Sequence, residues 1–128
     1  MNDNLYVTRI KIDEAKHWLD ASCNEEYPFS RLKQDTEYFS WVTYGVYQNN
    51  KLIASFVTRI EEFELVVVSA GGCLKGGSLY KLLTPYVCQI AKMNDCKYLR
   101  GHTSNKAVGK LMQKAGWQEL ETVYRKEI

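Results

Sequence analysis

Phe63-Glu64-Leu65-Val66-Val67-Val68-Ser69 followed by Ala70-Gly71-Gly72-Cys73-Leu74-Lys75-Gly76-Gly77-Ser78 is the stretch on which the fold turns. Its first seven residues are the most apolar strand of the chain, and the run Val66-Val67-Val68 has no polar face. Such a run suits a strand covered on both sides, which places it at the centre of a sheet. The next nine residues hold four glycines and read as a loop. After it, Leu79, Leu82, Leu83, Tyr86, Val87, Ile90 and Met93 recur at three and four residues, the rhythm of an amphipathic helix. Pro85 interrupts the turn ladder but not the apolar stripe, so one kinked helix is expected.

Upstream of this stretch the period is two. Trp41 to Tyr47 and Lys51 to Ile60 alternate as strands, and Gln48-Asn49-Asn50 between them is a hairpin turn, because Asn tolerates positive φ. Glu61-Glu62 is the next turn. Leu5 to Ile10 is a further short strand. Ile12, Ala15, Trp18 and Leu19 share a helical face, with Asp13 and Glu14 in the first turn, where the helix dipole favours them. A second helix runs from about Pro28 to Phe39. Downstream, Lys97 to His102 reads as a strand. Thr103 or Ser104 caps a helix from Asn105 to Ala115, which Gly116 ends. Trp117 to Ile128 is read as a last strand or bent pair. The order is β-α-α-β-β-β-α-β-α-β, a mixed α/β sheet with helices on its faces in a single domain over residues 1–128.

Composition narrows the function classes. With 128 residues, 45% hydrophobic and 25% charged, the chain is neither a disordered tail nor a coiled-coil rod. No apolar run is long enough for a membrane-spanning helix. The start, MNDNLYVTRI, lacks the pattern of a secretory leader, so a cytoplasmic location is expected. The net charge of +2 does not announce a nucleic-acid binder. Residues 1–64 nevertheless carry a net −4 and residues 65–128 a net +6, a basic half that suits an anionic ligand or partner. Cys23, Cys73, Cys88 and Cys96 form no CxxC pair, and no Cys/His cluster has zinc spacing, so no metal is expected. Cys73, in the glycine stretch, is the thiol best placed to react.

The last third resembles the GNAT superfamily of acyl-CoA-dependent acetyltransferases. Asn105, Val108, Leu111, Gly116 and Trp117 stand at the spacings of that family's motif around the fifth strand and fourth helix. The resemblance implies a mixed, mostly antiparallel sheet of six or seven strands with about four helices. It implies acetyl-CoA as co-substrate, lying between splayed fourth and fifth strands. The pantetheine arm would be held by Val67 and Val68, the pyrophosphate by Lys75, Gly76, Gly77 and Ser78, and the opposite side by Asn105. Acetyl would pass to an amine by direct attack, with Glu64 or His102 as the base. Val108 is larger than the usual Ala and Leu74 stands at the Gln/Arg position of the phosphate loop, and two further departures bear on the chemistry. Met112 stands where the family usually has the Tyr that protonates the departing thiolate, and a thioether has no proton to give. Leu79 stands where a small residue is usual and would bring bulk towards the phosphates.

Two kinds of partner follow. The first is an amine acceptor, small molecule or protein. The second is a protein partner, if catalysis is lost and the fold works as a binding module. The small size is similar to compact bacteriophage-encoded GNAT-like proteins, for which an accessory or virion-associated role is the alternative. The last segment and Trp117 offer a homodimer edge. Lys106, Lys110 and Lys114 make a basic row on one helix that would meet a phosphate or stay solvated.

Overall fold

The structure is a computed structural model that describes residues 4–74, 76–102, 106–114, 116–120 and 124–128, with only the backbone described for residues 76, 77 and 106–108. The sheet contains β1 (Leu5–Arg9), β2 (Val42–Gln48), β3 (Lys51–Glu61), β4 (Glu64–Gly72) and β5 (Tyr98–Arg100), in that spatial order. The first three pairings are antiparallel, and β4 pairs with β5 in parallel. The β2–β3 hairpin turns through Asn49 and Asn50 at φ 51° and 67°, as the two asparagines predict.

The helical stretch after β1 is composite. Turns of 3-10 helix, Ile12–Ala15 and Asp20–Ser22, flank one α-turn, α1 (Lys16–Leu19). Then follow α2 (Phe29–Phe39), α3 (Gly76–Met93) and α4 (Lys106–Lys114). Helix α3 runs through Pro85 without a break. Thr84 Oγ1 donates to the Tyr80 carbonyl at 2.6 Å one turn earlier. Two apolar layers sandwich the sheet. On one face Tyr44, Phe56, Leu65 and Val67 meet Leu83 and Val87 of α3. On the other, Val57 meets Ile12, Leu19, Phe29 and Leu32. Burial of this kind contributes about 25 cal/mol per Å² of apolar surface removed from water.

Three expectations are corrected. The described residues form five strands, not six or seven: residues 117–120 and 124–128 carry none. Trp117 and Leu120 are three apart, so a strand would send them to opposite faces, and Leu120 and Tyr124 stand largely in water. The centre of the sheet is β3, whose residues Ala54 to Thr58 are all buried; β4 lies one place towards the edge. Phe63 is in the turn, where Glu62 has φ 54°.

The glycine stretch is also not one loop. Gly71 and Gly72 complete β4, and Gly76 and Gly77 open α3. The strand glycines are required by close approach. A Cβ on Gly71 would lie 2.0 Å from the Trp18 carbonyl oxygen, and one on Gly72 would lie 2.7 Å from Ala54 Cβ. The end of β4 is therefore pressed directly onto α1 and β3.

Candidate functional site

The feature that sets the site is where β4 loses its neighbour. The parallel ladder joins Glu64 to Tyr98, Leu65 to Leu99 and Val66 to Arg100, and stops there. Strand β4 continues for six residues to Gly72. Along that length no described strand pairs with its outer edge. Backbone N–H and C=O groups on such an edge are ready partners for an extended ligand.

A bulge lies beside this gap. On β3 the register steps from Val57 to Thr58, while on β4 it steps from Ser69 to Val67. Val68 is thus an extra residue, which kinks the strand and turns its backbone out of the ladder. Val67 is buried in the α3-side core, whereas Val68 packs against the core on the α1–α2 side. The gap between β4 and β5 consequently connects the two faces of the sheet.

On the α1–α2 side, Ser69 and Ser22 bring their hydroxyl oxygens to 2.5 Å. Ser22 Oγ donates its proton to the Leu19 carbonyl at 2.8 Å. Ser69 must then be the donor to Ser22, since a hydroxyl has one proton. The remaining lone pairs of Ser69 Oγ can accept an N–H from an incoming group. Cys23 and Tyr27 pack against the same core cluster as Val68. Burial, then the Asp20 charge, pushes the Cys23 thiol up. The Tyr27 hydroxyl donates to Asp35 Oδ2 at 2.7 Å. Burial, then this hydrogen bond, pushes its pKa up to about 12.

On the other side, α3 presents the first-turn amides of Gly76, Gly77 and Ser78, which in a helix of this length have no intrahelical acceptor and favour an anion. Ser78 is exposed. Leu79 points away: it is 7% exposed and sits in the core, its Cδ1 3.1 Å from the place of a Cβ on Gly72. The bulk expected to face the phosphates is therefore turned inward. Lys75 and Asn105 of the expected cofactor set lie outside the described residues, as do Thr103, Ser104 and Ala115.

Helix α4 leans on the end of β5. A Cβ on Gly101 would lie 3.5 Å from Met112 Cε, 3.6 Å from Trp117 and 3.8 Å from Tyr80. Met112 is 7% exposed, so it is a packing residue here. Leu111, beside it on the helix, is 47% exposed. Gly116, at φ 96°, ends the helix as its position predicts. The Trp117 N–H reaches the Met112 carbonyl at 3.0 Å, and the Gly116 N–H reaches Gln113 at 3.1 Å, a Schellman closure. Tyr80 meets Trp117 edge to face at 6.1 Å between centroids. Burial pushes the Tyr80 phenol up, so it keeps its proton further into the alkaline range.

The two expected bases are far from equivalent. His102 is exposed, two residues past the last β4–β5 pair, at the lip of the gap. Glu64 is at the opposite, paired end of β4. Its Oε1 accepts from Arg100 Nη1 at 3.1 Å, while Arg100 Nη2 reaches Glu61 at 2.6 Å. Four residues separate Glu64 from Val68, about 13 Å of strand. The structure brings Val67, Val68, Ser78 and His102 around the gap and leaves Glu64 outside it. Sequence reading missed Ser22, Ser69 and Tyr27; no spacing links them, since they meet only through the fold. Among the described residues no group of His, Cys, Asp and Glu is arranged to hold a metal ion, and no helix is long and apolar enough to cross a membrane.

Solved structures share this architecture. The aminoglycoside N-acetyltransferase AAC(6')-Iy in complex with CoA superposes with a TM-score of 0.69 at 15% identity, covering 100% of this chain and 98% of that one. A GNAT family acetyltransferase from Staphylococcus aureus gives 0.62 at 13% identity, covering 97% and 98%. A transcriptional regulator from Bacillus halodurans gives 0.65 at 8% identity, covering 98% and 100%. At these identities the likeness is one of fold. No protein-family model and no curated protein matches the chain.

Proposed function

We propose that the chain is a GNAT-type N-acetyltransferase that moves an acetyl group from acetyl-CoA to an amine, acting as a single domain over residues 1–128 in the cytoplasm. The parting of β4 and β5 beyond Val66 carries this reading, because it leaves the outer edge of the bulged β4 without a described strand partner, close to the start of α3. Val67 and Val68 would hold the pantetheine arm through their backbone. Gly76, Gly77 and Ser78 would hold the pyrophosphate, with Lys75 as its cation and Asn105 on the far side. The fold likeness to a CoA-bound acetyltransferase supports the same placement.

In this reading the acceptor arrives from the α1–α2 side, where Ser69 accepts an N–H of the amine. The amine lone pair attacks the thioester carbonyl; the C–N bond forms and the C–S bond breaks. The amine nitrogen gives up one proton and the thiolate takes one, so the products are an amide and free CoA. His102 at the lip is the base candidate that the geometry favours over Glu64. Met112 donates nothing, so the thiolate takes its proton from Tyr80 or from water. Positioning and backbone hydrogen bonds supply the rate.

The test is thiol release from acetyl-CoA with a polyamine, an aminoglycoside and a lysine peptide as acceptors, read against the hydrolysis blank. Acetylated product in mass with any of them supports the reading; no transfer with acetyl-CoA bound contradicts it. The buried Met112 favours a second reading, a GNAT-fold binding protein without catalysis, such as a phage accessory or virion-associated protein. That reading predicts no product and capture of a defined protein partner.

A further inference from the structure

The end of the sheet away from the gap carries a second concavity, of about 340 Å³, between the sheet and the end of α3. The strand registers put its sheet residues on one face. Arg9 is the cross-strand partner of Tyr44, Val42 of Thr58, Thr58 of Val67, and Ile60 of Leu65. Cross-strand partners share a face, as do residues two apart on one strand. Tyr44, Leu65 and Val67 belong to the core on the α3 side, so Arg9, Val42, Thr58 and Ile60 face α3 with them. Ile90 in the last turn of α3 and Asn94 just after it form the opposite wall. Leu65 stands seven residues before Gly72 on β4, about 23 Å of strand, which sets the concavity far from the gap. The volume lies at the small end of the range for small-molecule sites, roughly 300–1,000 Å³.

Its chemistry is lopsided. Val42, Ile60, Leu65 and Ile90 make the lining aliphatic, and Ile60 is left 52% exposed. Two polar groups on this face lack a partner. Tyr44 is 7% exposed, with its ring stacked on Phe56 at 5.2 Å between centroids. Its hydroxyl makes no hydrogen bond to a described residue and is not among the side-chain atoms sealed from solvent. Hydroxyls on side chains this deeply buried normally have a partner. Arg9, opposite it on β1, is exposed, and its guanidinium forms no ion pair or hydrogen bond with any described residue. Thr58 differs, since its Oγ1 donates to the Val42 carbonyl at 3.4 Å. No carboxylate of a described residue lines the concavity. Arg59 borders its outer end but lies on the opposite face with Val57, engaged by Glu61 at 3.2 Å, and has no part in the site.

We propose that this concavity binds a medium-chain aliphatic carboxylate, with its chain between the sheet and the end of α3 and its carboxylate at the Arg9–Tyr44 pair. A guanidinium and a phenol both donate to a carboxylate, and the aliphatic lining takes the chain. An alkylammonium would meet the Arg9 cation with no carboxylate on the walls to balance it. The site is independent of the acyl-CoA reading.

The experiment is a titration of the full chain with octanoate, followed by the NMR signals of the Ile60 and Ile90 methyl groups. Ile12, in the core on the α1–α2 side, is the internal reference. Octanoate is expected to shift Ile60 and Ile90 saturably at up to millimolar concentration while Ile12 stays still. Hexanoate is expected to bind more than tenfold more weakly, at about fourfold for each methylene lost. The uncharged octanamide is also expected to bind more weakly than octanoate. Arg9→Ala and Tyr44→Phe are each expected to weaken octanoate about tenfold, the size of one lost hydrogen bond to a charged group. Arg9 is exposed and unpaired, and Tyr44→Phe keeps the ring on Phe56, so both variants keep the fold. No shift at millimolar octanoate would overturn the proposal. So would equal binding of octanamide or hexanoate, or unchanged affinity in Arg9→Ala or Tyr44→Phe.

Discussion

The two halves of β4 are built on opposite principles. From Glu64 to Val66 the strand has a partner on each side, and Arg100 clamps it to β5 through Glu61 and Glu64. From Val67 to Gly72 it pairs with β3 alone among the described strands, carries an extra residue at Val68, and presses two glycines onto its neighbours. The first half holds the sheet together. The second has an outer edge with no described strand beside it, backed by the close contacts of Gly71 and Gly72. The difference teaches that the open edge is a fixed feature and not a frayed end, since its far terminus is anchored as firmly as its start.

That comparison breaks most visibly under substitution. Leu65→Ala, in the paired half and 1% exposed, is expected to cost about 2–5 kcal/mol of stability by leaving a cavity. Gly71→Ala, in the open half, is expected to cost about 3 kcal/mol by driving a methyl into the Trp18 carbonyl. Val68→Ala, half-buried at the bulge, should stay within about 1 kcal/mol. Denaturant midpoints check all three, and a Gly71→Ala protein as stable as the parent would show that the open half is loose.

A smaller effect sharpens the role of the clamp. Arg100→Ala should lose about 1 kcal/mol, and the loss should shrink as salt is added, because Glu61 is half exposed. A last effect, confined to alkaline pH, is a pH dependence on the acceptor side. Tyr27 has its folded pKa raised to about 12 from an ordinary value near 10. The folded state therefore holds the proton more tightly than the unfolded one. The stabilisation is complete below about pH 10 and is lost as pH rises towards 12. Tyr27→Phe should remove that alkaline slope from the melting temperature; an unchanged slope would detach Tyr27 from Asp35.

How far the sequence carried can be traced through particular residues. The hairpin at Asn49-Asn50, the helix end at Gly116 and the buried run at Val66 were legible because each depends on local backbone preference or period. The glycine stretch was misread as one loop, since sequence shows that glycines are needed but not what approaches them. Gly71 answers to Trp18, fifty-three positions away in the chain. The last strand failed for lack of apolar alternation at Trp117 and Leu120. Of the candidate site, the family resemblance named Val67, Val68 and Ser78, and the fold sets the first two in the part of β4 beyond its pairing with β5 and the third in the first turn of α3. The Ser22–Ser69 pair was not legible, because side chains brought together across two elements leave no spacing to read. Leu79 was legible as large but not as inward-facing, which depends on how α3 is rolled over Gly72.

The central claim is that the unpaired half of β4 and the start of α3 form an acyl-CoA site. Thermal unfolding of the full chain with millimolar acetyl-CoA, beside dephospho-CoA, tests it most directly. Ligand at 100 times its dissociation constant adds about 2.7 kcal/mol, a rise of several degrees in melting temperature. The account predicts that rise with acetyl-CoA. An unchanged melting temperature at millimolar acetyl-CoA would contradict it.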